Sequence, residues 1–264
     1  YNSDDGVNLN FVTQTASNAT SANITGLLPS TSYQWRVYAV TEGCLSSALT
    51  GTQSTLSNGN KISNQSGNWS NALIWTPNGV PAAGEDVTIA NGHTVTINVS
   101  GACNNLTIGQ GSAAKLEFGG ATARTLNVGN NITINSLASF SVNGGSNTTH
   151  TVIAKRNIIN NGTLNFNTDA NSICQTIFNK SGSQTISGTG TYSFNAITLD
   201  MGTTSNNILE VASTNFTATA NFLTLSNGIF KRSQTNTSNL TPFTAAPTIG
   251  QTCGIWLNSN NATI

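Results

Sequence analysis

The phrase Asp86-Val87-Thr88-Ile89 recurs, with changed residues but an unchanged pattern, along the chain from Glu85 to Lys231. Polar and apolar side chains alternate strictly in each copy, as in Thr94-Val95-Thr96-Ile97 and Ala196-Ile197-Thr198-Leu199. Because successive side chains of a strand point to opposite faces, this alternation is typical of β-strands with one buried face. Gly, Asn and Ser separate the copies, and no helix-forming stretch interrupts the series. The pattern therefore predicts an all-β fold.

The copies recur at a step typical of one rung of a solenoid. Successive apolar anchors that we expect to point inward are 20, 26, 25, 20 and 26 residues apart, the anchors being Leu106, Leu126, Val152, Ile177, Ile197 and Leu223. Solenoid repeats have steps of roughly this size. The period predicts a right-handed parallel β-helix over residues 80–264. Its inward stacks should contain Val95, Ile97, Leu106, Ile108, Leu126, Val128, Phe140, Ile197, Leu199, Leu223 and Leu225.

Charged residues are scarce in this chain. They make up 7% of the 264 residues, and the formal net charge is zero, whereas an average soluble domain is roughly 25% charged. A surface built from Asn, Thr, Ser and Gly offers no basic field for nucleic acid or for anionic lipid. The sequence also lacks an apolar run of roughly 18 residues, so it predicts no membrane-spanning helix.

The first part of the chain carries a different motif. Leu27-x-Pro29-x-Thr31-x-Tyr33 is followed by the alternating apolar residues Trp35, Val37 and Ala39. This motif resembles the second half of a fibronectin type III domain, in which the tyrosine at the position of Tyr33 forms the tyrosine corner of a Greek-key sandwich. Such a sandwich needs roughly 100 residues, about twice what is present here. Residues 1–56 are therefore predicted to be the C-terminal half of a fibronectin type III-like domain.

Residues 57–79 are predicted to be a linker followed by a Trp-containing segment. Trp69 and Trp75 stand six residues apart, and the turn Pro81-x-x-Gly84-Glu85-Asp86 then leads into the first alternating strand. This arrangement resembles the start of the β-helix regions in large secreted Bacteroidota cell-surface and adhesin-like proteins. The two indoles can cap the first rung, because the end of a solenoid otherwise exposes its core. Carbohydrate stacking on the same two rings is the alternative.

The ionisable residues are too dispersed to predict a catalytic site. The acids of the solenoid region occur singly, apart from Glu85-Asp86. The only compact polar cluster consists of His150, Lys155 and Arg156, with Asp169 about half a rung later. Polysaccharide lyases and hydrolases built on β-helices need clustered carboxylates, or carboxylates with Arg or Lys and often calcium. A solvated loop and an outward strand face are therefore the preferred interpretation of this cluster over a catalytic role, and no enzyme activity is predicted.

No cofactor or metal site is predicted either. The Gly-Gly-x-Gly-x-Asp pattern of calcium-binding β-rolls is absent. The cysteines are widely spaced and include no C-x-x-C pair, which argues against a zinc site; they are Cys44, Cys103, Cys174 and Cys253. Ice binding on a flat threonine ladder is a weaker alternative, since Thr107 and Thr133 stand isolated in the sequence.

The module order and the dispersed charges favour a structural or adhesive segment of a long secreted cell-surface protein, such as a stalk, an adhesin or an extracellular filament. Both ends read like cuts through a longer polypeptide, so we expect self-association or continuation into further β modules. Surface glycans or other cells are the expected partners, and nucleic acid and membrane insertion are not. The alternative is a carbohydrate-active β-helix enzyme or carbohydrate-binding module with an accessory fibronectin-like domain; an ice-binding solenoid is less favoured.

Overall fold

The computed structural model describes residues 2–4, 9–11, 13–25, 27, 32–41, 43–54, 59–233 and 240–258. The chain divides into two compact units, Tyr1–Gly59 and Asn60–Ile264. Most of the predicted linker and Trp-containing segment, residues 57–79, therefore lies in the second unit.

The first unit is antiparallel. Its strands are β1 (Asn2–Asp4), β2 (Leu9–Phe11), β3 (Ser32–Val37), β4 (Val40–Thr41), β5 (Cys44–Leu45) and β6 (Leu49–Ser54). Four of them form one sheet in the order β2-β1-β3-β6, and β4 and β5 pair separately as a hairpin. Trp35 of β3 packs against Gly51 of β6, where a Cβ atom would come within 2.3 Å of the indole. The described residues display one sheet and a hairpin, not the two stacked sheets of a fibronectin sandwich, and Tyr33 is only half-buried.

The second unit is a solenoid with three strand-bearing faces, and a 3-10 turn at Ala72–Ile74 is the helical element of its described part. Face 1 contains β7 (Lys61–Ser63), β10 (Val87–Ile89), β13 (Leu106–Ile108), β16 (Ile132–Ile134), β19 (Ile158–Asn160), β22 (Gln184–Ser187), β25 (Ile208–Val211), the second half of β26 (Leu223–Arg232) and β27 (Cys253–Leu257), with β9 (Trp75–Thr76) at its edge.

Face 2 contains β8 (Gly67–Asn68), β11 (Thr94–Ile97), β14 (Ala114–Phe118), β17 (Ala138–Val142), β20 (Thr163–Asn165) and β23 (Thr191–Ser193). Face 3 contains β12 (Gly101–Cys103), β15 (Thr125–Val128), β18 (Thr149–Ala154), β21 (Ile173–Phe178), β24 (Ala196–Asp200) and the first half of β26.

The chain passes through faces 1, 2 and 3 in that order and then begins the next rung, for about 8 rungs. Each strand pairs in parallel with a strand of the same face one rung away, and those within a face have such a partner on either side, as β13 has in β10 and β16. The exception is β9, which pairs antiparallel with β7. The predicted parallel β-solenoid is therefore confirmed.

The core fills the space enclosed by the three faces. Of the side chains predicted to point inward, all are buried except Leu225, which is half-buried and packs against the core. Aromatic rings continue from rung to rung inside it, with neighbouring centroids 4.9 Å apart for Phe140 and Phe166 and 6.0 Å apart for Phe166 and Phe194. Burial of apolar area along the coil is the main stabilising contribution in a solenoid.

Two of the predicted anchor relationships are wrong. Leu106 stacks on Ile132, 26 residues later on face 1, whereas Leu126 belongs to face 3. Ile177 points outward, and its neighbour Thr176 stands in the inward column between Val152 and Ile197. The reason is the register, because a shift of one residue would turn every inward side chain of β21, Phe178 included, to the outer surface.

Candidate functional surfaces of the solenoid

A row of Asp and Asn side chains runs along the corner between faces 3 and 1. Asp86, Asn105, Asn131 and Asn157 each stand directly before a face 1 strand, and we call their side chains the corner ladder. The Asp86 Oδ1 atom accepts the backbone N–H of Asn105 at 3.0 Å.

The ladder continues on the following rungs with the same geometry. Asn105 Oδ1 accepts the backbone N–H of Asn131 at 3.2 Å, and Asn131 Oδ1 accepts that of Asn157 at 3.2 Å. Asn157 Oδ1 accepts the N–H of Thr185 at 2.9 Å. Each of these bonds gives a backbone N–H a side-chain acceptor on the neighbouring rung. The ladder thus links successive rungs with bonds additional to those of the sheets.

The first rung is closed by an end cap made of Trp69, Ile74 and Trp75. Both indoles are 0% exposed and meet edge to face, with ring centroids 5.2 Å apart. Trp75 Nε1 donates to the backbone oxygen of Trp69 at 3.1 Å. The Trp69 ring lies against Gly101 at the start of face 3, where a Cβ atom would come within 2.7 Å of Nε1.

The burial of these two indoles decides what they can contact. Because both are fully buried, neither presents a ring face to solvent on which a sugar could stack. Close by, Lys61 Nζ donates to the backbone oxygens of Pro77 and Asn78, each at 3.1 Å, and lies 3.6 Å from Glu85. The lysine thus holds the loop beyond the cap to the first strand.

His150 lies inside the solenoid rather than in a solvated loop. Its ring stacks on Phe118, with centroids 4.8 Å apart and an angle of 16° between the planes. Nδ1 accepts the backbone N–H of Arg124 at 3.2 Å, whereas Nε2 is buried without a hydrogen-bond partner. Burial, and secondarily the nearby Arg124 charge, lower the pKa of His150. The imidazole is therefore neutral at pH 7.

The other members of the predicted polar cluster are not brought to His150. Lys155 follows the last residue of β18 and Arg156 comes after it, so about 16 Å of strand separates them from the histidine at ~3.3 Å per residue. Asp169 is exposed in a corner. The backbone N–H groups of Asn171 and Gly145 donate hydrogen bonds to its carboxylate, and these bonds are the main reason why its pKa is lowered to about 2. The four residues thus occupy different surroundings and form no shared site.

Ionisable groups elsewhere in the described part of the solenoid include three lysine–carboxylate pairs: Lys61–Glu85, Lys115–Glu117 and Lys231–Glu210. Among the described residues, no group of three or more His, Cys, Asp or Glu side chains could hold a metal ion. All four cysteines are free thiols. The described residues likewise include no helix of the length and apolar character needed to cross a bilayer.

The outer surface of face 1 contains a short threonine column. Thr88, Thr107 and Thr133 are in register on consecutive rungs, so Thr107 and Thr133 are neighbours and the expectation that they are isolated is wrong. The column then meets Ile159 and Ser187. The hydroxyl column therefore spans three rungs before Ile159 follows it.

Trp256 is exposed, unlike Trp69 and Trp75, and the sequence pattern did not single it out. Trp256 of β27 is 44% exposed on the outer surface of face 1. The ammonium of Lys231, one rung earlier, lies 4.5 Å from its ring centroid, and Lys231 Nζ is 3.1 Å from Glu210 Oε2 one rung earlier still. The sequence Cys253-Gly254-Ile255-Trp256-Leu257 does not show by itself which side chains face outward. The pairing of β27 with β26 shows that Trp256 does, because it places Trp256 beside Lys231.

Comparison with known proteins adds no assignment. No known family, no curated protein and no solved structure matches this chain.

Proposed function

We propose that this chain is a structural and adhesive segment of a long secreted cell-surface protein, a stalk whose outer faces are available for contact. The observation that carries the proposal is the corner ladder. From Asp86 to Thr185, one side chain per rung bonds to the backbone of the next. This repeated use of side chains stabilises the coil along its axis and favours a load-bearing role.

The distribution of charge supports the same interpretation. Acidic and basic groups are few, and six of those in the described solenoid are held in three ion pairs. A glycosidase needs two carboxyl groups on either side of one bond, and the polar residues that came nearest to such a cluster, His150 and Asp169, differ in burial and position. A binding or mechanical role is therefore favoured over catalysis.

Two finer features belong to the proposal. The first unit is the C-terminal half of a fibronectin type III-like domain, a suggestion supported by its antiparallel sheet and by the packing of Trp35 on Gly51. The coil is right-handed, as about 98% of crossovers between parallel strands of one sheet are.

Location on intact cells tests the proposal. Antibodies raised against the 264-residue chain should label unpermeabilised cells of the source organism, and external protease should remove the label. An antibody against a cytoplasmic protein is the control for cell integrity. Labelling that requires permeabilisation would overturn the proposal, as would a protein found free in the cytoplasm after fractionation.

A further inference from the structure

We propose that Asn143 is a site of spontaneous covalent modification, at which the Asn143–Gly144 pair cyclises and deamidates in the folded chain. The sequence contains six Asn–Gly pairs, whose asparagines are Asn58, Asn78, Asn91, Asn143, Asn161 and Asn227. The first of these asparagines lies outside the described residues. The other five pairs share the same chemistry and differ in what their reacting groups contact.

Deamidation at an Asn–Gly pair joins the asparagine side chain to the next backbone nitrogen. The glycine nitrogen attacks the side-chain carbonyl carbon, a C–N bond forms, and the amide nitrogen leaves as ammonia with the proton of the glycine N–H. Water then opens the cyclic succinimide at either carbonyl, which gives aspartate or isoaspartate without any oxidant or reductant. Glycine favours the ring closure because it has no side chain and its backbone is conformationally permissive. A hydrogen bond on either reacting group slows the reaction, because it must be broken first.

Two pairs near the start of the solenoid are restrained in this way. At Asn91 the side-chain oxygen accepts the backbone N–H of Gln110 at 2.7 Å, and the N–H of the following glycine donates to the Ala113 oxygen at 2.6 Å. At Asn78 the N–H of the following glycine donates to the Ala72 oxygen at 3.0 Å. At least one reacting group of each pair is therefore occupied.

Two later pairs are restrained at both groups. The Asn161 side-chain oxygen accepts the backbone N–H of Thr189 at 3.2 Å, and the N–H of the following glycine donates to the Asn160 side-chain oxygen at 3.0 Å. The Asn227 side-chain oxygen accepts the Thr252 hydroxyl at 2.8 Å, and the N–H of the following glycine donates to the Thr252 backbone oxygen at 2.9 Å. These bonds run between rungs, so the fold itself protects both asparagines.

Asn143 differs from these four asparagines. Asn143 and Gly144 are both exposed, in the turn between β17 and β18. Neither the Asn143 side-chain amide nor the Gly144 N–H makes a hydrogen bond to any residue that the structure describes. The backbone of Asn143 is anchored, because its N–H donates to the Phe118 oxygen at 2.8 Å. The two reacting groups can therefore meet, and water reaches them directly.

The product adds a carboxylate to a corner that already contains one. Asp169 Oδ2 accepts the backbone N–H of Gly145, the second residue after Asn143, at 3.1 Å. The Thr168 hydroxyl donates to the Val142 oxygen at 2.7 Å, so the end of β17 is bound to the next rung. The modification therefore gives the neutral chain a negative charge at its surface, while the neighbouring strand stays attached.

Incubation of the full folded chain at mildly alkaline pH for several days tests the proposal. Trypsin then releases the peptide Thr125–Lys155, which contains Asn143, whereas Asn91 and Asn161 fall in other peptides of the same digest. Fragment ions in mass spectrometry place each deamidation at one asparagine. We expect Asn143 to deamidate at least about tenfold faster than Asn91 or Asn161.

A variant and an unfolded control separate this explanation from others. Gly144→Ala should suppress the reaction, because a methyl group obstructs ring closure, and the fold accommodates it, since the nearest atoms would be 3.6 Å from the new Cβ. In urea the five pairs should react at similar rates, because the protecting hydrogen bonds are lost. The inference is overturned if folded Asn143 reacts no faster than Asn91 and Asn161, if Gly144→Ala leaves its rate unchanged, or if its advantage persists in urea.

Discussion

The side-chain oxygen of Asn131 accepts the backbone N–H of Asn157 at 3.2 Å, one rung further along the solenoid. The two residues are 26 positions apart in the chain, yet each occupies the same place before a face 1 strand. Asn131 takes part in two bonds of this kind, because its own backbone N–H donates to the side-chain oxygen of Asn105. A bond of this kind joins two rungs in addition to the backbone bond that the Ile132 N–H donates to the Asn157 oxygen at 2.9 Å.

Substitution of Asn131 by Ala should lower the free energy of unfolding by about 1–3 kcal/mol, because it leaves the N–H of Asn157 without its acceptor. Asn131→Asp should cost less, since it keeps an acceptor oxygen, as Asp86 does at the first position of the ladder. Urea denaturation followed by far-ultraviolet circular dichroism measures both. Equal losses for the two variants would show that the hydrogen bond is not the stabilising interaction.

Leu126 and Asn127 provide a matched pair for the core. They are neighbours in β15, but Leu126 is fully buried and Asn127 faces outward. Leu126→Asp should destabilise by more than about 4 kcal/mol or prevent folding, because it buries a charge without a partner. Asn127→Asp should change stability by no more than about 0.5 kcal/mol. Melting temperatures of the two variants decide the matter, and similar values would contradict the assigned inward face.

The strand pattern reveals the solenoid because alternation and turn residues are local properties. Val95, Leu126 and Leu199 could be placed inward from their neighbours alone. The partner of each strand could not be identified in this way, because three strands of similar pattern occur per rung. Local pattern alone therefore pairs Leu106 with Leu126, whereas the structure pairs it with Ile132. In β21, which contains Ile177, apolar residues occur on both sides of the strand. Packing of Phe178 in the core determines which side faces inward.

The candidate surfaces were harder to predict than the fold. The sequence shows the spacing of Trp69 and Trp75 and their place before the first alternating strand. In the structure both residues lie in the end cap. The role of Asn131 in the corner ladder depends on the rung register, which local pattern does not provide. The same holds for Trp256, whose outward side follows from the pairing of β27 with β26.

Trp75 and Trp256 should respond differently to truncation. Trp75→Ala removes a fully buried ring from the end cap and should cost about 3–5 kcal/mol, as large-to-small core substitutions of Trp do. Trp256→Ala removes an exposed ring and one cation–π contact, which should cost no more than about 1 kcal/mol. Thermal unfolding of both variants checks this. A large loss for Trp256→Ala would mean that its ring is chiefly a structural element.

His150 should make stability depend on pH near neutrality. Its pKa is lowered in the folded chain, so below the ordinary value of about 6.5 the unfolded chain binds a proton that the folded chain resists. The free energy of unfolding should therefore be highest above about pH 7 and fall as the pH drops below about 6.5. His150→Gln should remove that part of the dependence when denaturation is repeated between pH 5 and 8. An unchanged slope in the variant would assign the effect to another group.

No turnover is expected with acidic or neutral polysaccharides. A general acid that works near neutral pH must keep its proton there, but the hydrogen bonds of Asn171 and Gly145 lower the pKa of Asp169 to about 2. His150 is sealed in the core and cannot reach a substrate. Release of reducing ends and of unsaturated products from pectin, alginate and arabinoxylan should stay at background over a full pH range. Turnover abolished by His150→Gln, Lys155→Ala or Asp169→Asn, with melting temperature unchanged, would replace the adhesive interpretation with an enzymatic one.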